Sequence, residues 1–153
     1  MGMTLTKDDK VWRNLQKQLG QLSNLATNVG IVDPRAVYPK NGISVAQNAQ
    51  WQNEGTRKIP KRPFINRIIA KAQKGTLDYV FMQAMIGVGT SRTSSRNAID
   101  KVGEHIAGLI KEEIMKGRFT ALHPDTVRKK GHSHPLLETG ELIDHIGNEV
   151  INA

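Results

Sequence analysis

The chain has 153 residues, a formal net charge of +8 from 22 Lys and Arg against 14 Asp and Glu, and no cysteine. That length favours one domain with a core that needs no staples. The missing thiols exclude disulfides, thiolate catalysis and Cys-ligated zinc, and they fit manufacture in a reducing cytosol. No apolar run is long enough to span a bilayer, and the first residues lack a secretory core, so no membrane role is expected.

Residues 1–8 read as a flexible arm. Met1-Gly2-Met3-Thr4-Leu5-Thr6 formally fits an acylation pattern that is too short and too common to carry an anchor. Trp12, Leu15, Leu19, Leu22 and Leu25 recur at spacings of three and four, which predicts an amphipathic helix over residues 8–25. Residues 28–32 predict a short strand, ended by Asp33-Pro34. Ser44 is a cap for a helix through Val45, Ala49 and Trp51 that ends near Gly55. Pro60 and Pro63 predict an extended basic linker, and Phe64, Ile65, Ile68, Ile69 and Ala72 mark the next helix. Residues 79–86 are almost continuously apolar, which leaves helix and strand open. Residues 87–95 read as a flexible loop of small polar residues. A long helix follows over residues 96–116, with its stripe at Ile99, Val102, Ile106, Leu109, Ile110 and Ile114 and with Gly117 at its end. Residues 124–127 predict one helical turn, and Thr139 predicts a cap for a short helix over residues 140–146. Residues 148–151 predict a last strand beside residues 28–32. The expectation is a single α+β domain over residues 1–153, with helices packed on a small antiparallel sheet.

No motif carries catalysis. His132 and His134 alternate across Ser133, and His123 precedes them, but Lys129 and Lys130 surround the group and no carboxylate stands at ligand spacing. They read as loop histidines, so no metal and no cofactor are expected. Gly87-x-Gly89 lacks the rest of any phosphate loop. Glu112 and Glu113 are adjacent on a helix and point to different faces, so they read as a solvated face. His105 has no nucleophile beside it in the sequence.

Charge is segregated. Arg57, Lys58, Lys61, Arg62, Arg67, Lys71 and Lys74 form a stretch without an acid, and Glu138, Glu141, Asp144 and Glu149 form one without Lys or Arg. Three readings of the basic stretch stand: phosphate neutralisation on nucleic acid, contact with an acidic neighbouring subunit, and a solvated face. No base-reading module accompanies it, and aromatics make up only 5% of the chain.

Two segments carry a resemblance. The first is Val45-Ala46-Gln47-Asn48-Ala49-Gln50-Trp51-Gln52-Asn53-Glu54-Gly55-Thr56, followed by Ile59-Pro60-Lys61-Arg62-Pro63-Phe64. The second is Pro135-Leu136-Leu137-Glu138-Thr139-Gly140-Glu141-Leu142-Ile143-Asp144-His145-Ile146, preceded by Val127-Arg128-Lys129-Lys130-Gly131. In order and spacing they resemble the tail-completion, or virion-morphogenesis, proteins of tailed bacteriophages, which join head to tail. The resemblance implies a virion protein of the neck, made in the host bacterial cytoplasm and without enzymatic activity. It implies a homo-oligomeric ring, hexameric in expectation, between a head-side connector and tail-side terminator or tube proteins. Double-stranded DNA would pass through such a ring without sequence-specific contact. A tail-terminator subunit is the alternative within the class, and a basic DNA-binding accessory protein is the alternative outside it. On this reading Arg57, Lys58, Lys61, Arg62, Arg67, Glu138, Glu141 and Asp144 are the assembly residues. Pro60, Pro63, Phe64, Leu137, Thr139, Gly140, Leu142 and Ile146 are the structural anchors.

Overall fold

A computed structural model of the chain describes residues 9–137 and 140–153. The first helix, α1, is Asp9–Leu22. It stops before Leu25 because Ser23 Oγ and Asn24 Nδ2 both donate to the Gly20 carbonyl, at 2.8 and 3.3 Å, and occupy an acceptor at the helix end. Leu25 therefore opens a strand, β1, Leu25–Ile31, earlier than the sequence pattern places it. Leu15 and Leu22 are half-buried, whereas Trp12 and Leu19 of the same stripe stay exposed.

The partner of β1 is β2, Ile146–Asn152, antiparallel in a register that runs from Leu25↔Asn152 to Ile31↔Ile146. Paired residues share a face. The face carrying Thr27 and Asn148 lies on the long helix α5, Ser95–Lys116. Gly103 permits that approach: a Cβ there would meet Thr27 Oγ1 and sit 2.7 Å from Asn148 Nδ2. Asn148 Nδ2 in turn donates to Asp100 Oδ1 at 2.7 Å, and Arg96 donates to the Val150 carbonyl at 2.9 Å.

Four helices lie between β1 and the end of α5 or follow it closely: α2 (Val45–Glu54), α3 (Phe64–Ala72), α4 (Asp78–Gly89) and α6 (Pro124–Lys130). A fifth short one, α7, is Glu141–Asp144. The undecided apolar stretch is thus helical, and α4 also absorbs Gly87, Val88 and Gly89, which the sequence reading placed in a loop. Only residues 90–94 connect α4 to α5. Buried Ser95 anchors that connection, donating from Oγ to the Gln18 carbonyl at 2.7 Å. The expected single turn at 124–127 extends to Lys130, capped by His123 Nδ1 and ended by left-handed Gly131. Gly140 enters α7 at φ 82°, a conformation that favours glycine. Ile146, expected in that helix, is instead the first residue of β2. The N-terminal arm with its acylation pattern, Glu138, and the cap expected at Thr139 lie outside the described residues.

The described residues form an α+β fold, seven helices on one two-stranded antiparallel sheet. The core joins Val45 and Ala49 of α2, Phe64 and Ile68 of α3, Ala107, Ile110 and Ile114 of α5, and Leu136, Leu142 and Ile146. Each large aliphatic or aromatic side chain so buried contributes about 1.5–3 kcal/mol. Leu136 is buried more completely than Leu137, the anchor chosen from sequence, which is half-buried against this cluster. Among the described residues no helix is long and apolar enough to cross a membrane.

Candidate assembly surfaces

The part of the first resemblance segment that follows α2 is a compact loop, where the prolines predicted an extended linker. Gly55 turns the chain at φ 80°, and a Cβ there would lie 3.0 Å from the Lys61 nitrogen. Thr56 Oγ1 accepts from the Ile59 nitrogen at 3.0 Å, while the Thr56 nitrogen donates to the Ile59 carbonyl at 2.8 Å. The chain then doubles back, and the Arg62 nitrogen donates to the Gln52 carbonyl at 2.7 Å.

Arg62, grouped with the assembly residues from sequence, lies in the interior of the subunit. It is 3% exposed. Its Nε donates to the Thr120 carbonyl at 3.1 Å and its Nη1 to Gln52 Oε1 at 2.6 Å. The guanidinium thereby ties the loop to the chain beyond α5, and burial draws its pKa below the ordinary value. Arg67 also turns inward. It donates to Glu113 Oε1 at 2.9 Å and to the Arg118 carbonyl at 2.8 Å, and it stacks 4.7 Å from the Phe119 ring centre. Lys71 Nζ reaches the other oxygen of Glu113 at 2.8 Å. Burial pushes the Glu113 carboxyl up, but the hydrogen bonds and charges of Lys71 and Arg67 outweigh it and hold the group below its ordinary range. Glu113 is therefore a bridge between α3 and α5, where sequence reading gave a solvated face. Glu112 remains exposed and pairs with Lys116 at 2.8 Å.

Arg57, Lys58 and Lys61 are exposed, and no acid among the described residues pairs with them. On the acidic side Asp144 and Glu149 are exposed and Glu141 is half-buried at the start of α7. Within one subunit these acids do not meet the basic loop.

The two resemblance segments do meet each other. Lys58, Ile59, Pro60 and Arg62 line one groove together with Thr126, Lys130 and Pro135. An adjoining groove is lined by Tyr38, Asn48, Leu136, Gly140 and Leu142, and Gln52, Lys130 and Pro135 line both. Phe64, 1% exposed, belongs to the core, Pro63 is half-buried, and Pro60 is an exposed lining residue.

Two features escaped the sequence reading. Buried Asn53 caps α3 from a neighbouring helix, its Oδ1 accepting from the Ile65 nitrogen at 3.0 Å. The signal was available: Pro63 precedes α3 without a side-chain acceptor, so the first N–H groups of that helix needed one from elsewhere. The second feature is the outer face of α4. Tyr79, Phe81, Met82, Met85 and Ile86 are each between 45% and 67% exposed, and Val88 is the helix's one fully buried side chain. A helix apolar on all sides, in a chain too small to enclose it, was the sign of this face.

The histidines do not gather. His123 is exposed beside Asp125, and His134 Nε2 lies 2.9 Å from the Met115 carbonyl. The Nδ1 atoms of His132 and His134 are buried without a hydrogen-bond partner. Among the described residues no three His, Asp or Glu side chains are placed to hold a metal ion. Compared with protein-family models, with curated proteins and with solved structures, the chain finds no match.

Proposed function

We propose that this chain is a structural virion protein of a tailed bacteriophage, a subunit of a ring at the head–tail junction that works by protein–protein assembly. One observation carries the reading: the two segments that resemble tail-completion proteins, distant in sequence, wall a single groove and share Gln52, Lys130 and Pro135 as lining. Segments that fold as one unit are constrained together, so a shared pattern across both has a common structural cause. The exposed Arg57, Lys58 and Lys61 and the exposed Asp144 and Glu149 lie on one subunit with no ion pair to an opposite charge among the described residues. Unlike surfaces of that kind suit head-to-tail contacts, which close into rings. The neighbours in this reading are a head-side connector and a tail-side terminator or tube protein, and the channel passes duplex DNA.

The test is imaging of the purified chain by electron microscopy, with and without the triple reversal Arg57→Glu, Lys58→Glu, Lys61→Glu. Rings from the wild type, and loss of head-to-tail joining in the reversal, are expected. Arg62 is left intact because it belongs to the interior. A second reading, a basic DNA-binding accessory protein, is favoured by the same three unpaired cations. It predicts duplex binding by the monomer whose logarithm falls with log salt at a slope near −0.9 per phosphate neutralised. Such binding without rings would replace the assembly reading.

A further inference from the structure

We infer that the outer face of α4 is a self-association surface, covered in the assembled protein by a second copy of this chain. The inference rests on the reading of the chain as a ring-forming subunit and assigns one of its contacts. At 100° per residue, Tyr79, Phe81, Met82, Met85 and Ile86 occupy one continuous arc of about 160°. The inward arc holds Val80, Ala84, Gly87 and Val88, half-buried or buried. This largely apolar face points away from the core, and exposed Asp78 falls within the same arc at its N-terminal end.

Its size fits a protein partner. Five side chains about half-exposed, at roughly 200 Å² each, present on the order of 500 Å². The packed neighbour α1 exposes Trp12 and Leu19 as well, which brings the helix pair to about 700 Å². Patches on monomers reach about 300–600 Å², whereas a specific interface takes about 800 Å² from each partner.

Charge selects the partner. Asp78 is the only charged residue of α4 in a chain of net charge +8. Two copies repel each other across most of their surfaces, and this face is where they approach at least Coulomb cost. An acidic protein or a nucleic acid finds no cation on α4 to recognise, because its charges would meet Asp78 and apolar side chains and lose their hydration.

The experiment is sedimentation velocity on the full chain over a concentration series, comparing wild type with the double variant Met82→Glu, Ile86→Glu. Glutamate keeps helix propensity and lowers the net positive charge, so lost association reports charge placed on this face and not greater overall repulsion between subunits. The expected result is a self-association constant weakened by at least ~10-fold, with circular dichroism and melting unchanged. The triple reversal at Arg57, Lys58 and Lys61 runs in parallel. If the double variant associates like wild type, the α4 assignment is overturned while the ring reading stands. If wild type forms dimers that the double variant loses, yet no rings appear, the α4 assignment stands and the ring reading falls. Flotation with phosphatidylglycerol vesicles is the last arm. Vesicle binding abolished by the double variant, with self-association intact, would mean that a lipid surface covers this face and would overturn the inference.

Discussion

Replacing Arg62 separates a structural cation from a surface one. The side chain is buried and makes two charge-assisted hydrogen bonds, to the Thr120 carbonyl at 3.1 Å and to Gln52 Oε1 at 2.6 Å. Bonds from a charged donor contribute about 1.5–3 kcal/mol each. Against that stands the penalty of keeping a guanidinium out of water, which truncation relieves. Arg62→Ala is therefore expected to lose about 2–4 kcal/mol, leaving Thr120 and Gln52 with acceptors facing a gap. For a chain of this size that is a drop in melting temperature of roughly 5–15 °C. Arg62→Lys supplies one compact charge instead of a fork and is expected to fall in between. Urea and thermal unfolding of the monomeric fraction, followed by circular dichroism, give the numbers. A melting temperature for Arg62→Ala within ~2 °C of wild type would refute the buried-tie argument. It would return Arg62 to the surface set of Arg57, Lys58 and Lys61.

Phe64→Ala removes a fully buried ring from the core and is expected to cost about 3–5 kcal/mol in a denaturant melt. An unchanged midpoint would mean that Phe64 is not part of the core. Gly103→Ala puts a methyl group against Thr27 and Asn148, where α5 lies on the sheet, and is expected to destabilise by about 1–3 kcal/mol. A stabilised variant, as helix propensity alone predicts, would show that the helix can lift off the strands. Glu113 is held below its ordinary carboxyl range when folded, so the stability it adds is complete above the unfolded value of about 4.3. That stability is lost as pH falls through the folded value. Wild type should therefore lose more stability than Glu113→Gln on acidification below about pH 4.3, and parallel pH profiles would contradict the bridge.

Elements with a local cause were legible in the sequence. The stripe of α5 follows from the spacing of Val102, Ile106, Leu109, Ile110 and Ile114, and Ser44 caps α2 as its side chain dictates. The antiparallel pairing of the two end strands was also readable, because each is a short β-prone run with nothing else to pair with. What failed depended on contacts between distant segments. The prolines of the first segment stiffen the chain, but Gly55 and Thr56 fold it into a turn that closes on Gln52. Charge counting grouped Arg62 and Arg67 with their neighbours, since no sequence pattern marks which cation finds Thr120 or Glu113 across the fold. The α4 face was legible only as composition, an excess of apolar residues around one helix, and only the layout of the other helices shows which side is left uncovered.

The sheet has a consequence for what happens when the backbone is cut. β1 lies before the connection at residues 90–94 and β2 lies after it, so each side of that connection holds one strand of the pair. The piece with α1 through α4 contributes half of the ladder, and the piece with α5 supplies the helix on which both strands rest. A protease that nicks residues 90–94 would thus leave fragments that complete each other. The loss would be the loop-closure advantage, replaced by the entropy of bringing two bodies together, about 4–15 kcal/mol at a 1 M standard state. The interdigitated strands and helices would hold the nicked particle together at high concentration and release it on dilution. In topological terms the molecule is a clasp with one strand of the ladder on each leaf.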